Sequence, residues 1–187
     1  GSDKNGIAMS SNYAMIGAPF AMDSTSQPGN VYVYNLFNKS DLNQQKFEAN
    51  LTDKLSVNDK AEGDQFGTGI AILGNTAVIG AQRKDGNSGG AAYIFNRNNE
   101  GTWTETYKLV STNPGSNMSF GYDVRISDSF VAIAEISDGR TSGKCFVFNK
   151  NDGSLHSSIS PNGGSKGDAF GVGIDMSINN FLVVGSP

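Results

Sequence analysis

Four stretches of this chain are variants of one another. They run from Gly6 to Phe20, Phe66 to Gln82, Phe120 to Ile136 and Phe170 to Pro187. Ile7, Ile70, Val124 and Ile174 hold the same place in each, at spacings of 63, 54 and 50 residues. A second motif follows each of the first three: Val31-Tyr32-Val33-Tyr34-Asn35, Ala92-Tyr93-Ile94-Phe95-Asn96 and Cys145-Phe146-Val147-Phe148-Asn149. Self-similarity at such a period marks units that cannot bury their apolar faces alone and must stack on their neighbours.

Each unit reads as four short strands. The first, of the Gly-x-Ile-Ala-Ile type, is apolar at every second residue. A two-residue turn follows it, at Ser11-Asn12, Gly74-Asn75, Asp128-Ser129 or Asn179-Asn180, where Asn, Gly and Asp tolerate the positive φ of tight hairpins. The second strand, Ala14–Ala18, Ala77–Ala81, Val131–Ala134 and Leu182–Gly185, is small or β-branched and reads as buried on both faces. The aromatic motif is the third. The fourth is more polar, at Gln44–Ala49, Trp103–Val110 and Ser154–Ser160. No window holds a 3.6-residue apolar period. Four antiparallel strands per repeat, small near one end and polar at the other, predict an all-β chain of β-propeller blades, crowded at the hub and polar at the rim. Copies fall at about 3–62, 63–115, 116–166 and 167–187, the last partial, in one segment spanning 1–187.

Composition fits this reading and excludes others. Glycine is high, at 24 of 187, as many tight turns require, and a charged fraction of 17% excludes a disordered acidic tail. The net charge of −4, with no Lys/Arg cluster, argues against nucleic acid or an anionic membrane as partner. Apolar runs of about six residues fall far short of the roughly 20 that cross a bilayer. Cys145 is the only cysteine, so no intrachain disulfide is possible, and its alignment with Val31 and Ala92 reads as an inert core thiol.

The Phe-Gly that opens a copy and the Gly-Ala-Pro that closes its second strand resemble the FG-GAP repeat, which builds the propeller of integrin alpha subunits and of many secreted microbial proteins. Phe66-Gly67, Phe120-Gly121 and Phe170-Gly171 stand at the first position. Gly17-Ala18-Pro19, Gly80-Ala81-Gln82 and Gly185-Ser186-Pro187 stand at the second. Asp3-Lys4 and Ala134-Glu135-Ile136 depart from the pattern. Many members hold calcium in a long acidic loop between the first two strands, because calcium takes six to eight oxygens. Here that connection reads as a short turn, so the chain is similar to the calcium-free branch and no metal or cofactor is expected.

The repeat count is three and a half blades. It implies either a fragment of a longer polypeptide or a ring completed by other copies or partners. Ligand contact is expected on the face formed by the loops joining strand two to three and strand four to the next blade. The candidates there are Asp23, Arg83, Asp85, Asp138 and Arg140, with Lys84 beside them. Asp64 and Asp168, in two Gly-Asp-x-Phe-Gly loops, read as acceptors of backbone hydrogen bonds that fix the blade-to-blade turn, with Phe66 and Phe170 packed between blades. Trp103 reads as rim packing with sugar stacking as the alternative. His156 is the only histidine, which leaves neither a zinc set nor a triad. The sequons at Asn38, Asn50 and Asn117 match chance frequency and carry no evidence of secretion.

The resulting expectation is a non-catalytic binding or adhesion module, extracellular or at the cell surface, that presents its loops to a protein or glycan. The alternatives are a propeller scaffold of a larger enzyme, for instance one acting on polysaccharide, and a structural module of a large assembly.

Overall fold

A computed structural model describes residues 6–23, 26–41, 44–84, 88–115, 118–137, 139 and 142–186. Every regular element in it is a strand. Alternating apolar residues cut by Gly, Asn and Asp turns favour strands over helices. The first blade is β1 (Ile7–Met9), β2 (Tyr13–Ala18), β3 (Asn30–Asp41) and β4 (Gln44–Leu55). The second is β5 (Phe66–Leu73), β6 (Thr76–Ala81), β7 (Ser88–Arg97) and β8 (Trp103–Leu109). The third is β9 (Met118–Ile126), β10 (Phe130–Ser137), β11 (Lys144–Asn149) and β12 (Leu155–Ile159). A last pair, β13 (Gly173–Met176) and β14 (Leu182–Gly185), supplies the inner half of a fourth. Within each set the strands pair antiparallel in chain order, as a meander.

The repeat seen in sequence is a structural repeat. Ile7 faces Ile16 across the hairpin, Ile70 faces Ile79, Val124 faces Ile133 and Ile174 faces Val184. Successive blades pack against one another, which buries Ile70, Val124 and Ile174, whereas Ile7 on the first blade stays exposed. One core joins Met15, Val31 and Val33 of the first blade to Phe66, Ile70, Tyr93 and Phe95 of the second. The next joins Ala71, Ala92 and Ile94 to Phe120, Val124, Phe146 and Phe148. A smaller one joins Ala132 and Cys145 to Phe170 and Ile174. The aromatic strand thus fills the gap toward the preceding blade, with Phe66 edge-on to Tyr93 at 5.9 Å and Phe120 to Phe146 at 5.4 Å.

The paired glycines of the repeat set how closely blades approach. A Cβ on Gly17 would stand 2.0 Å from the Gly67 carbonyl oxygen, and one on Gly80 only 1.9 Å from that of Gly121. The Phe-Gly glycines themselves hold φ of +98° and +88°, where a side chain is strained. The motif is therefore an inter-blade contact. Its first half lies on one blade and its second half on the preceding one.

The structure corrects four details. The hairpin β3–β4 is longer than Val31–Asn35 with Gln44–Ala49, because pairing runs from Val31↔Leu55 to Asp41↔Gln44, with one register shift between Val33 and Tyr34. No Gly or Pro interrupts residues 36–49, so nothing stops the ladder. The loop that follows accordingly begins after Leu55 rather than at Asn50. The second strand is buried on both faces in β6 and largely so in β10, but Ile16 of β2 is 40% exposed and Val183 of β14 is 69% exposed. Those two residues lie on faces that no neighbouring blade covers among the described residues. Finally, the turn of the fourth copy has three residues, Ile178–Asn180, closed by Ser177 N–H donating to Phe181 O, with Asn180 at φ 70°.

Candidate functional site

The loops leaving strands two and four lie together at one end of the blades, and backbone contacts bind them in pairs. The Gly63 N–H donates to Gln27 O and the Phe66 N–H to Pro28 O, while the Phe170 N–H donates to Ser142 O. Between the second and third blades the same junction is a short parallel ladder of Ser88–Gly90 on Met118–Phe120. Gly29, Gly90 and Gly143 make this possible. A Cβ on any of them would fall 2.2–2.3 Å from the carbonyl of Phe66, Phe120 or Phe170. This third recurring glycine holds a fixed place in the sequence, two residues before the aromatic motif, and belongs to the repeat beside Phe-Gly and Gly-Ala-Pro.

On the loops between the first two blades, charged groups are interlinked. Asp23, in a small bridge with Ser26, accepts a hydrogen bond from Lys60. That bond and the Lys60 charge hold its carboxyl below the usual range. Asp59 accepts from Lys108 at 2.6 Å and from the Tyr93 hydroxyl at 2.9 Å. Partial burial opposes ionisation of Asp59, but these bonds and the charges of Lys84 and Lys108 outweigh it, so its pKa also lies low. Burial, with Asp59 beside it, pushes the Tyr93 hydroxyl well above its ordinary value. Beneath this layer Lys84 and Asp64, both nearly inaccessible, form an ion pair at 3.0 Å, and Lys84 also donates to Asp59 O at 2.6 Å. Burying two charges is tolerated only when both are well bonded, as they are here.

Of the residues singled out in sequence, Asp23 and Arg83 take their places on this end. Arg83 lies two residues after β6, its side chain is exposed, and its N–H donates to Asp64 O at 3.1 Å. Asp85, Asp138 and Arg140 lie outside the described residues. Asp64 does fix the turn, accepting from the Ala61 N–H at 2.7 Å, and Asp168 does the same for Ser165. The ion pair with Lys84 is an addition that spacing could not reveal. Nor could it reveal the group at Asp59, whose partners come from β7 and β8.

Other candidates resolve as packing. Trp103 is 6% exposed, edge-on to Tyr13 at 6.0 Å, so its ring is core and offers no face to a sugar. Cys145 is fully buried, and burial pushes its thiol up to about 12, which suppresses the reactive thiolate. His156, on the exposed rim strand, lies tilted against the Phe130 ring at 4.6 Å. Glu135 is the anomaly. It occupies the place of Ala81, is 2% exposed, and its Oε1 has no hydrogen-bond partner among the described residues. Burial raises its pKa, against the opposing influence of Ser111 and Lys144. Among the described residues no three His, Cys, Asp or Glu side chains gather to hold a metal ion, and the strand-one turns remain short.

Comparison with known families agrees with this geometry. The FG-GAP repeat model matches residues 50–95 and 103–148. The first match runs from β4 into β7, and the second from β8 into β11. Each sequence unit therefore straddles a blade boundary and contains the Phe-Gly that lies against the preceding blade. No curated protein matches the chain significantly. With repeat phase, inter-blade glycine contacts and family model in agreement, the chain belongs to the FG-GAP repeat family.

Proposed function

We propose that the chain is a non-catalytic binding module whose loop end, between the first two blades, contacts a protein or glycan outside the cell or at its surface. One observation carries the reading. The carboxylates and lysines of these loops are tied to each other, which fixes the surface, while Arg83 stands exposed with no ion-pair partner among the described residues. Preorganised loops with an exposed cation suit recognition, because little ordering entropy is lost on contact. Extracellular placement rests on the usual setting of the family, and no helix of the described residues is long and apolar enough to cross a membrane. Neither a cofactor nor a metal enters this reading. The expected result is that Arg83→Glu leaves the melting temperature unchanged and abolishes most retention on glycan arrays or in pull-downs. Equal retention by both proteins would reject the loop end as the contact surface.

The exposed apolar faces favour a second reading, in which the partner is another blade, from the same polypeptide or a further copy. Ile7 and Met9 are 66% and 67% exposed, although their equivalents Ile70 and Ile72 are buried against the preceding blade. Apolar faces of this kind mark association surfaces. Light scattering over a concentration series is expected to show assembly that Ile7→Asp weakens, and a strictly monomeric chain at every concentration would remove this reading.

A further inference from the structure

We propose that Asn162 is a site of spontaneous self-modification, converting to aspartate and isoaspartate through a cyclic imide formed with Gly163. The reaction needs the backbone nitrogen of the following residue to reach the side-chain carbonyl carbon of the asparagine. Three features of this place permit it. Gly163 follows Asn162, so no Cβ obstructs the approach, and the space where one would sit is open, with nothing within 4 Å. Both residues are exposed, in the turn that follows β12. The Gly163 N–H donates no hydrogen bond among the described residues, so the nitrogen is not held in place by the fold.

The other Asn-Gly and Asp-Gly steps set the contrast. At Asn5-Gly6 the glycine N–H donates to Gly67 O at 3.3 Å, in the contact between the first two blades. At Asp152-Gly153 the glycine N–H donates to Asn149 O at 2.9 Å, and a Cβ there would meet the Tyr107 ring at 2.9 Å. Asp152 is moreover a carboxylate engaged by Ser154, and an ionised carboxylate is a poor electrophile. Asp85-Gly86 and Asp138-Gly139 fall partly or wholly outside the described residues.

The steps balance without any added oxidant or reductant. The Gly163 amide loses its proton to solvent base and its nitrogen bonds to Cγ of Asn162. The Cγ–nitrogen bond of the side chain breaks, and ammonia leaves with a proton from water. Water then opens the imide at one carbonyl to give aspartate, or at the other to give isoaspartate, in which the main chain runs through the former side chain. Either product adds a carboxylate to the loop after β12, at the loop end of the blades, and makes the net charge one unit more negative than −4. The inference does not depend on what that end binds.

The test is peptide mapping by mass spectrometry on the folded chain held in mildly alkaline buffer at physiological temperature. Asn162 is expected to convert before every other described asparagine, at the same rate in the folded and the denaturant-unfolded chain. Gly163→Ala is expected to slow it by more than tenfold without lowering the melting temperature by more than the strain of its φ of +73° requires. Conversion in the unfolded chain but not in the folded one would overturn the proposal, because the loop would then be shown to restrain the nitrogen. Unchanged conversion in Gly163→Ala would overturn it as well.

Discussion

Gly80→Ala is expected to destabilise the chain by about 3 kcal/mol, toward the upper end of what overpacking costs. The new Cβ would lie 1.9 Å from the Gly121 carbonyl oxygen and 2.8 Å from its carbon. Both are backbone atoms, so no flexible side chain can swing aside. Relief requires the second and third blades to separate, and separation withdraws Phe120, Val124 and Ile133 from their shared core. Gly173→Ala is the control. Gly173 lies in the first strand of the last pair, where nothing stands within 4 Å of its would-be Cβ and its φ is not positive, so the change should be nearly neutral. Chemical denaturation measures the difference, and hydrogen exchange locates it. The loss should be concentrated at the junction of β6 with β9, since repeat units couple only to their neighbours. Equal stability of the two variants would show that the glycine contact does not set blade spacing. The third copy illustrates the alternative solution: Ala134 replaces the glycine, and a Cβ on Gly171 would lie 3.6 Å from the Ala134 side chain, a looser fit over a smaller core.

Glu135→Gln is expected to raise stability near neutral pH by about 1–3 kcal/mol, the order of the desolvation cost of a buried polar group, which is incurred when the carboxyl ionises. The sign follows from the raised pKa. Burial favours the neutral acid, so the folded value lies above the ordinary 4.5. The stability that the neutral carboxyl contributes is therefore complete below the unfolded value and is lost as pH rises through the folded one. Glutamine cannot ionise and avoids that loss. The gap between variant and wild type should be small in acid and widen toward neutrality. A gap independent of pH, or a less stable variant at neutral pH, would show that Glu135 is satisfied in its charged form. The low pKa of Asp59 works in the opposite direction: its contribution is present above the unfolded value and is lost as pH falls through the folded one. The two groups are separable because Glu135→Gln should leave that acid limb unchanged.

The legible part of the fold was the part carried by local pattern. Alternation at Ile70, Ile72, Tyr93 and Phe95 encoded strands and the face each presents. The phase of Phe-Gly and Gly-Ala encoded the unit, and the alignment of Cys145 with Ala92 placed a thiol in the core. The candidate site was legible only as a set of loops. Asp59 meets Lys108, 49 positions away, and Lys84 meets Asp64 across 20. Such pairs leave no periodicity, because they depend on where two loops end after the blades have packed. The packing role read for Trp103 holds, but how deeply it is buried follows from what the neighbouring blade covers, as its contact with Tyr13 shows.

Short-range chemistry, then, settled the strands, their turns and the blade as unit, because side-chain alternation and the φ tolerance of Gly and Asn act within a few residues. Packing of one blade on the next decided the rest. It determined which glycines are indispensable, which carboxylate is buried with one oxygen unpaired at Glu135, and which charges are tied down around Arg83. Those outcomes depend on distances between segments about 20 to 50 residues apart, and only the folded chain sets such distances.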